Sequence, residues 1–179
     1  MTTRFDDCLA FVAKWEGGYT NDPVDRGGAT NLGITQSTLD KYLDKHNKDY
    51  FDVKSLTSAE ARIIYFDEYW VPSFSPRMME PLDLLVFDTA VNMGVGRSAK
   101  ILQTSLGVTA DGVIGAITLG ALHEEFMAGA IRHLCLDYWG LREDRYNDII
   151  KKDPKQIRFK RGWHNRMVSL MNEMNKSWK

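Results

Sequence analysis

Near the N-terminus, between two helical patterns, lies a segment that no helix can accommodate: Glu16-Gly-Gly-Tyr-Thr-Asn-Asp-Pro-Val-Asp-Arg-Gly-Gly-Ala-Thr-Asn-Leu-Gly-Ile-Thr35. Its glycine pairs, Gly17-Gly18 and Gly27-Gly28, mark positions that call for positive φ or close backbone approach. The segment opens on one carboxylate, Glu16, and passes two more, Asp22 and Asp25. It closes on Thr30 to Ile34, a run able to pair back as a strand. The chain must therefore stop a helix, turn and return before the next helix begins.

The flanks are helical. Thr3 caps a first helix with Asp6 in its opening turn, and Phe5, Cys8, Leu9, Val12 and Trp15 recur on one face, which puts Glu16 on the last turn. A second helix starts at Thr35 or Ser37. A third opens on the capping box Thr57-Ser-Ala-Glu60, with Ile63, Phe66 and Trp70 on one face. Pro72, Pro76 and Pro81 make residues 71–81 a loop and a candidate joint. A buried central helix from Pro81 to Met93 is broken at Gly94-Val-Gly96. Helices then run from about Arg97 to Leu106, 117–125 and 127–151, and from Gln156 to Trp178. No alternation of strands with helices points to a parallel sheet, so the expected class is mainly α with a small hairpin at 18–34.

A length of 179 residues supports one core, divided into two lobes at most. A net charge of −1 argues against nucleic acid as a partner. Residues 151–179 nevertheless hold nine Lys or Arg against two acids, which suits an anionic polymer or headgroups, or simply a solvated helix face. Cys8 and Cys135 fall at apolar helical positions and read as buried thiols, not a disulfide. The four histidines are scattered along the chain, so no metal site and no cofactor is expected. The first residues lack the apolar core of a signal peptide, and no apolar run approaches the roughly 20 residues that cross a bilayer. Synthesis in the cytoplasm without stable membrane insertion is the expectation.

Two carboxyls in contrasting surroundings are what glycoside hydrolysis needs: an acid for the leaving oxygen and a base or nucleophile across the sugar. A carboxyl desolvated beside an apolar helix face, as Glu16 would be next to Trp15, suits the first role. A carboxylate in a wetter turn suits the second; Asp25 fits it, with Asp22 open as the alternative. Thr30 is a candidate to hold the water. Asp-Pro and Asp-x-Gly-Gly are also plain turn formers.

The segment resembles the signature of the N-acetylmuramidases of glycoside hydrolase family 108, lysozyme-like phage endolysins and toxin-secretion muramidases. The similarity continues in Tyr65-x3-Tyr69-Trp70, Phe87-Asp88-x3-Asn92-Met-Gly94, Leu102-Gln103-x2-Leu106-Gly107, Asp111-Gly112-x2-Gly115-x2-Thr118 and Gly162-Trp163-x-Asn165-Arg166. It implies a lysozyme-like, two-lobed helical fold with a small β-hairpin following the first helix. It also implies a catalytic region at 1–93 and a helical region at 94–179 that resembles a peptidoglycan-binding domain and packs with the first as one unit. The implied reaction is hydrolysis of the β-1,4 bond between N-acetylmuramic acid and N-acetylglucosamine, with Glu16 as catalytic acid. The spacing of Glu16, Asp25 and Thr30 is similar to the catalytic set of phage lysozymes, one residue shorter before the threonine. Peptidoglycan glycan strands are the implied partner of a monomer that reaches the cell wall or periplasm by a holin-like route. A lytic transglycosylase, or a non-catalytic peptidoglycan-binding or secretion-assisting protein, is the alternative.

Tyr19, Tyr69 and Trp70 are candidates to stack on sugar rings, although aromatics at helical spacing also serve as core. Asn31 can fix the loop beside Thr30 or reach substrate, and Asn92 can hydrogen-bond an N-acetyl group. Trp163 and Arg166 read as packing and surface residues. Met167, Met171 and Met174 read as core filler or as a partner-docking face.

Overall fold

The computed structural model describes residues 2–21 and 28–178. Its contacts divide the chain into two compact units, residues 1–72 and 73–179.

The first unit begins with helix α1 (Arg4–Ala13), set by a capping box: the Thr3 hydroxyl accepts the Asp6 N–H at 3.3 Å, and the Asp6 carboxylate accepts the Thr3 N–H at 3.0 Å. Phe5, Cys8, Phe11 and Val12 are its buried residues. The helix ends earlier than its apolar spacing suggests. The N–H groups of Lys14 and Trp15 turn back onto Phe11 and Val12, three residues behind, which tightens the end and leaves Glu16 in a bend past the helix, not on its last turn. Strands β1 (Thr30–Asn31) and β2 (Ile34–Thr35) form the hairpin, Thr30 opposite Thr35 and Asn31 opposite Ile34. Thr20 joins its edge through two 2.8 Å backbone bonds with Thr30. The buried Asn31 amide donates to the carbonyls of Val53 (3.0 Å), Lys54 and Leu56, and so ties the hairpin to the short 3-10 turn Val53–Ser55.

Helix α2 (Gln36–Lys45) is capped by Thr35, and α3 (Ser58–Tyr65) by the Thr57–Glu60 box. Helix α3 passes directly into one π turn, Phe66–Trp70, in which the Val71 N–H bonds to the Phe66 carbonyl at 3.0 Å. The wider turn breaks the 3.6-residue phase. Ala61, Ile64, Tyr65 and Trp70 face inward, whereas Ile63 and Phe66, expected inward, are exposed. Trp70 is 4% exposed and packs against Phe5, so it takes the core alternative and is not a surface platform.

The second unit is built around α4 (Leu82–Met93), in which every residue from Leu82 to Ala90 is buried. Gly94, at φ 88°, turns the chain at once into α5 (Val95–Ser105), two residues earlier than expected. Helices α6 (Ala116–Met127), α7 (Ile131–Lys152) and α8 (Lys160–Ser177) complete it. The Ser98 hydroxyl on α5 donates to the Val86 carbonyl of α4 and shares a hydrogen bond with the Tyr138 hydroxyl of α7, each at 2.8 Å. Buried Gln103 clamps the turn that follows α5, donating to Asp111 and the Val113 carbonyl and accepting the Gly112 N–H. Met167 and Met174 are core. Cys8 and Cys135 are both buried, and burial, with the Asp83 carboxylate nearby, pushes the Cys135 thiol up to about 12. No helix of the described residues is long and apolar enough to cross a membrane.

One ion cluster sits inside this unit. Asp88 on α4 receives Arg142 of α7 at 2.6 Å and Arg166 of α8 at 2.8 Å, with Asp88 and Arg142 fully enclosed. Arg166 is therefore a core partner and not the surface residue expected. Burial pushes the Asp88 carboxyl up, but the two guanidiniums outweigh it and hold it below the usual carboxylate range. A carboxyl depressed in the folded state stabilises above the unfolded value of about 4 and loses that contribution as pH falls through its folded value. Asp88→Asn is expected to strip the buried Arg142 and Arg166 of the carboxylate they share and to cost about 3–5 kcal/mol in urea unfolding at pH 7. The deficit relative to wild type should shrink in the same titration taken below pH 4.

Candidate active site

The hairpin turn carries the site. Leu32 and Gly33, the two residues between β1 and β2, both take positive φ, 50° and 76°, as a type I′ turn requires. Leucine enters that region only at a cost, and the Tyr65 hydroxyl steadies it by donating to the Leu32 carbonyl at 2.9 Å. Gly33 is needed twice over. A Cβ there would run into the Tyr65 hydroxyl and stand 2.8 Å from both Cβ and Cγ of Glu16. The side chain of Glu16 is thus lodged against bare backbone at the turn, although Glu16 itself lies outside any helix.

Glu16 borders a cavity of 150 Å³ that it shares with Leu9, Ala13, Leu32, Arg62 and Tyr65. Arg62 is held at the rim by Asp6, 2.7 Å away. That hydrogen bond, followed by those from Thr3, draws the Asp6 carboxyl far below its ordinary value. Tyr69 comes from the π turn, its ring 5.7 Å from that of Tyr65. Burial first, then the Glu68 and Glu16 carboxylates, push the Tyr69 hydroxyl above the usual tyrosine value, against a hydrogen bond with Thr38. Thr38 in turn pairs with the Thr35 hydroxyl at 3.0 Å, and Thr35 stands opposite Thr30 on the hairpin. Glu16, Tyr65, Tyr69 and a line of threonine hydroxyls therefore share one region of the first unit. A carboxyl there can pass a proton to a bound oxygen while hydroxyls orient the rest of the ligand.

Of the other expected residues, Thr30 sits in β1 with its hydroxyl 3.4 Å from the Gly28 carbonyl. Tyr19 is 42% exposed, with the Lys54 ammonium 5.5 Å from its ring. Asn31 and Trp70 are committed to the hairpin anchor and to the core. Asn92 belongs to the second unit, where its carbonyl oxygen accepts the Tyr146 hydroxyl at 2.6 Å. Asp25 and its alternative Asp22 lie outside the described residues. Of the glycines flagged by pairing, Gly28 has positive φ (69°), whereas Gly17 and Gly18 have neither positive φ nor a neighbour within 4 Å; the close approach is at Gly33. Sequence reasoning does not single out Tyr65, Gly33 and Thr38 as site residues. The signals available for them are Asn-Leu-Gly-Ile, a two-residue turn ending in glycine, and the i, i+4 pair Tyr65 and Tyr69. Among the described residues no cluster of His, Cys, Asp and Glu could hold a metal ion.

The family model described as Glycosyl hydrolase 108 matches residues 9–94, and one described as a predicted peptidoglycan domain matches residues 97–168. Among solved structures, SagA of Brucella abortus is similar at 31% identity and a TM-score of 0.74, over 96% of this chain and 94% of that one. No curated protein matches. Gly33→Ala is expected to lower stability by about 1–3 kcal/mol in urea unfolding, because the positive φ and the displaced Glu16 both oppose it. Gly17→Ala, with nothing within 4 Å, should stay within about 0.5 kcal/mol of wild type in the same measurement.

Proposed function

Because the chain belongs to the glycosyl hydrolase 108 family, we propose that it is an N-acetylmuramidase that cuts the β-1,4 bond between N-acetylmuramic acid and N-acetylglucosamine in peptidoglycan. The observation that carries the reading is the seating of Glu16: the carboxylate of the family-matched segment borders a cavity beside Tyr65 and is held there by the Gly33 turn. Glu16 gives its proton to the glycosidic oxygen as the bond to the anomeric carbon breaks, and positive charge develops on that sugar. Asp25, with Asp22 as the other candidate, stabilises that charge or activates water, and Thr30 positions the water. Tyr19 and Tyr69 meet the sugar rings, whereas Asn31 and Trp70 act by holding the hairpin and the π turn in place. The match at residues 97–168 supports peptidoglycan as the polymer. The enzyme works as a monomer at the cell wall after release through a holin-like route.

Glu16→Gln keeps shape and removes the transferable proton. Clearing of purified cell walls should fall about a thousandfold, while the urea midpoint and binding to sacculi persist. Retention of most activity would remove the proposal. Mass spectrometry of the wild-type digest should show hydrolysed reducing ends; 1,6-anhydro ends would assign the site to a lytic transglycosylase.

A further inference from the structure

Two cavities of the second unit, of 160 and 240 Å³, share the same two cations, Arg97 of α5 and Arg145 of α7. Among the described residues no ion pair engages either guanidinium. The smaller cavity is floored by the chain of contacts that leaves Asp88. Arg142 donates to the Tyr146 hydroxyl at 3.1 Å, and Tyr146 donates to the Asn92 carbonyl oxygen at 2.6 Å. With its oxygen so committed, Asn92 is oriented to offer its NH2 group as a donor. The Trp163 indole lies flat on the Tyr146 ring, centroids 4.6 Å apart and planes 16° from parallel, and forms an apolar wall. The larger cavity continues between α5 and α7, where Lys100 adds a third cation and Asp144 and Asp148 supply carboxylates.

A fixed amide donor suits the carbonyl of an N-acetyl group, the indole wall suits a sugar edge, and the guanidiniums suit a carboxylate. The two aspartates repel an extended polyanion, so the cations fit a single acidic group better than a phosphate backbone. We propose that this groove binds the acidic sugar of peptidoglycan, with Asn92 on the N-acetyl carbonyl and Arg97 and Arg145 on the carboxylate of the lactyl ether or of the stem peptide. The assignment rests on the peptidoglycan reading above, but it concerns a site built wholly from residues of the second unit.

The probe is the disaccharide N-acetylglucosaminyl-N-acetylmuramic acid, which lacks the bond that a muramidase cuts, titrated calorimetrically into the full-length protein. Chitobiose is the neutral match, and the same disaccharide carrying its stem peptide is the third arm. Arg97→Met with Arg145→Met should weaken the acidic disaccharide about tenfold or more and change chitobiose less than about twofold. Arg97→Lys with Arg145→Lys should recover part of the loss. Because the stem peptide is joined through an amide to the lactyl carboxyl, a loss confined to the bare disaccharide assigns the contact to the lactyl carboxylate. A loss confined to the peptide-bearing arm assigns it to the stem peptide, and a loss on both shows that the groove takes either carboxylate. An equal loss on chitobiose, or no loss on either acidic ligand, overturns the site. The titrations need no turnover, so an active Glu16→Gln enzyme would defeat the muramidase reading and leave this result standing.

Discussion

The buried carboxylate of Asp88 is the constraint on which the second unit depends. Each of the helices it joins arrives with a charge that no apolar neighbour could accommodate, and the charges are tolerable only together. The packing of α4, α7 and α8 is therefore conditional on one anion, in contrast to the apolar contacts of Leu85, Leu102 and Leu170, which tolerate small shifts. From Arg142 the contacts run outward through the Tyr146 oxygen to Asn92. The same atoms that balance the core thus orient the polar floor of a groove.

In the first unit the equivalent constraint is steric. Glu16 comes after the end of α1 and has no helix to aim it, so its direction is set from outside by the Leu32–Gly33 turn and by Tyr65. The turn is itself held in place by Asn31, which bonds to carbonyls more than twenty residues along the chain. A carboxyl placed in this way depends on a hairpin of two short strands, and the first of those strands is tied to the 3-10 turn behind it.

Much of this could be read before any coordinates. The capping boxes at Thr3 and Thr57, the unbroken apolar run of α4 and the break at Asp153-Pro154 all act through neighbours in sequence, and each appears where its pattern predicts. Position 16 was legible as an unusual carboxylate because glycines come after it and a tryptophan precedes it. Two of the errors share one physical origin, which is contact between distant residues. Spacing could not reveal that Arg166 would meet Asp88, since the two lie 78 positions apart. Nor could it reveal that the crowded glycine is Gly33 and not Gly17, because the crowding comes from Glu16 and Tyr65. The face assigned to residues 63–70 failed for a local reason, a single turn of different pitch.

That turn has a consequence for how a helix can divide its labour. Neighbours on a regular α-helix point about 100° apart, so two adjacent aromatics usually compete for adjoining directions. Widening one loop of backbone at Phe66–Trp70 changes the rotational offset between the residues on its N-terminal side and those on its C-terminal side. Tyr69 lies at the hydroxyl-lined recess while Trp70 closes over Phe5. A single rod of backbone consequently serves as both wall of the recess and keystone of the interior, with no loop between the two tasks.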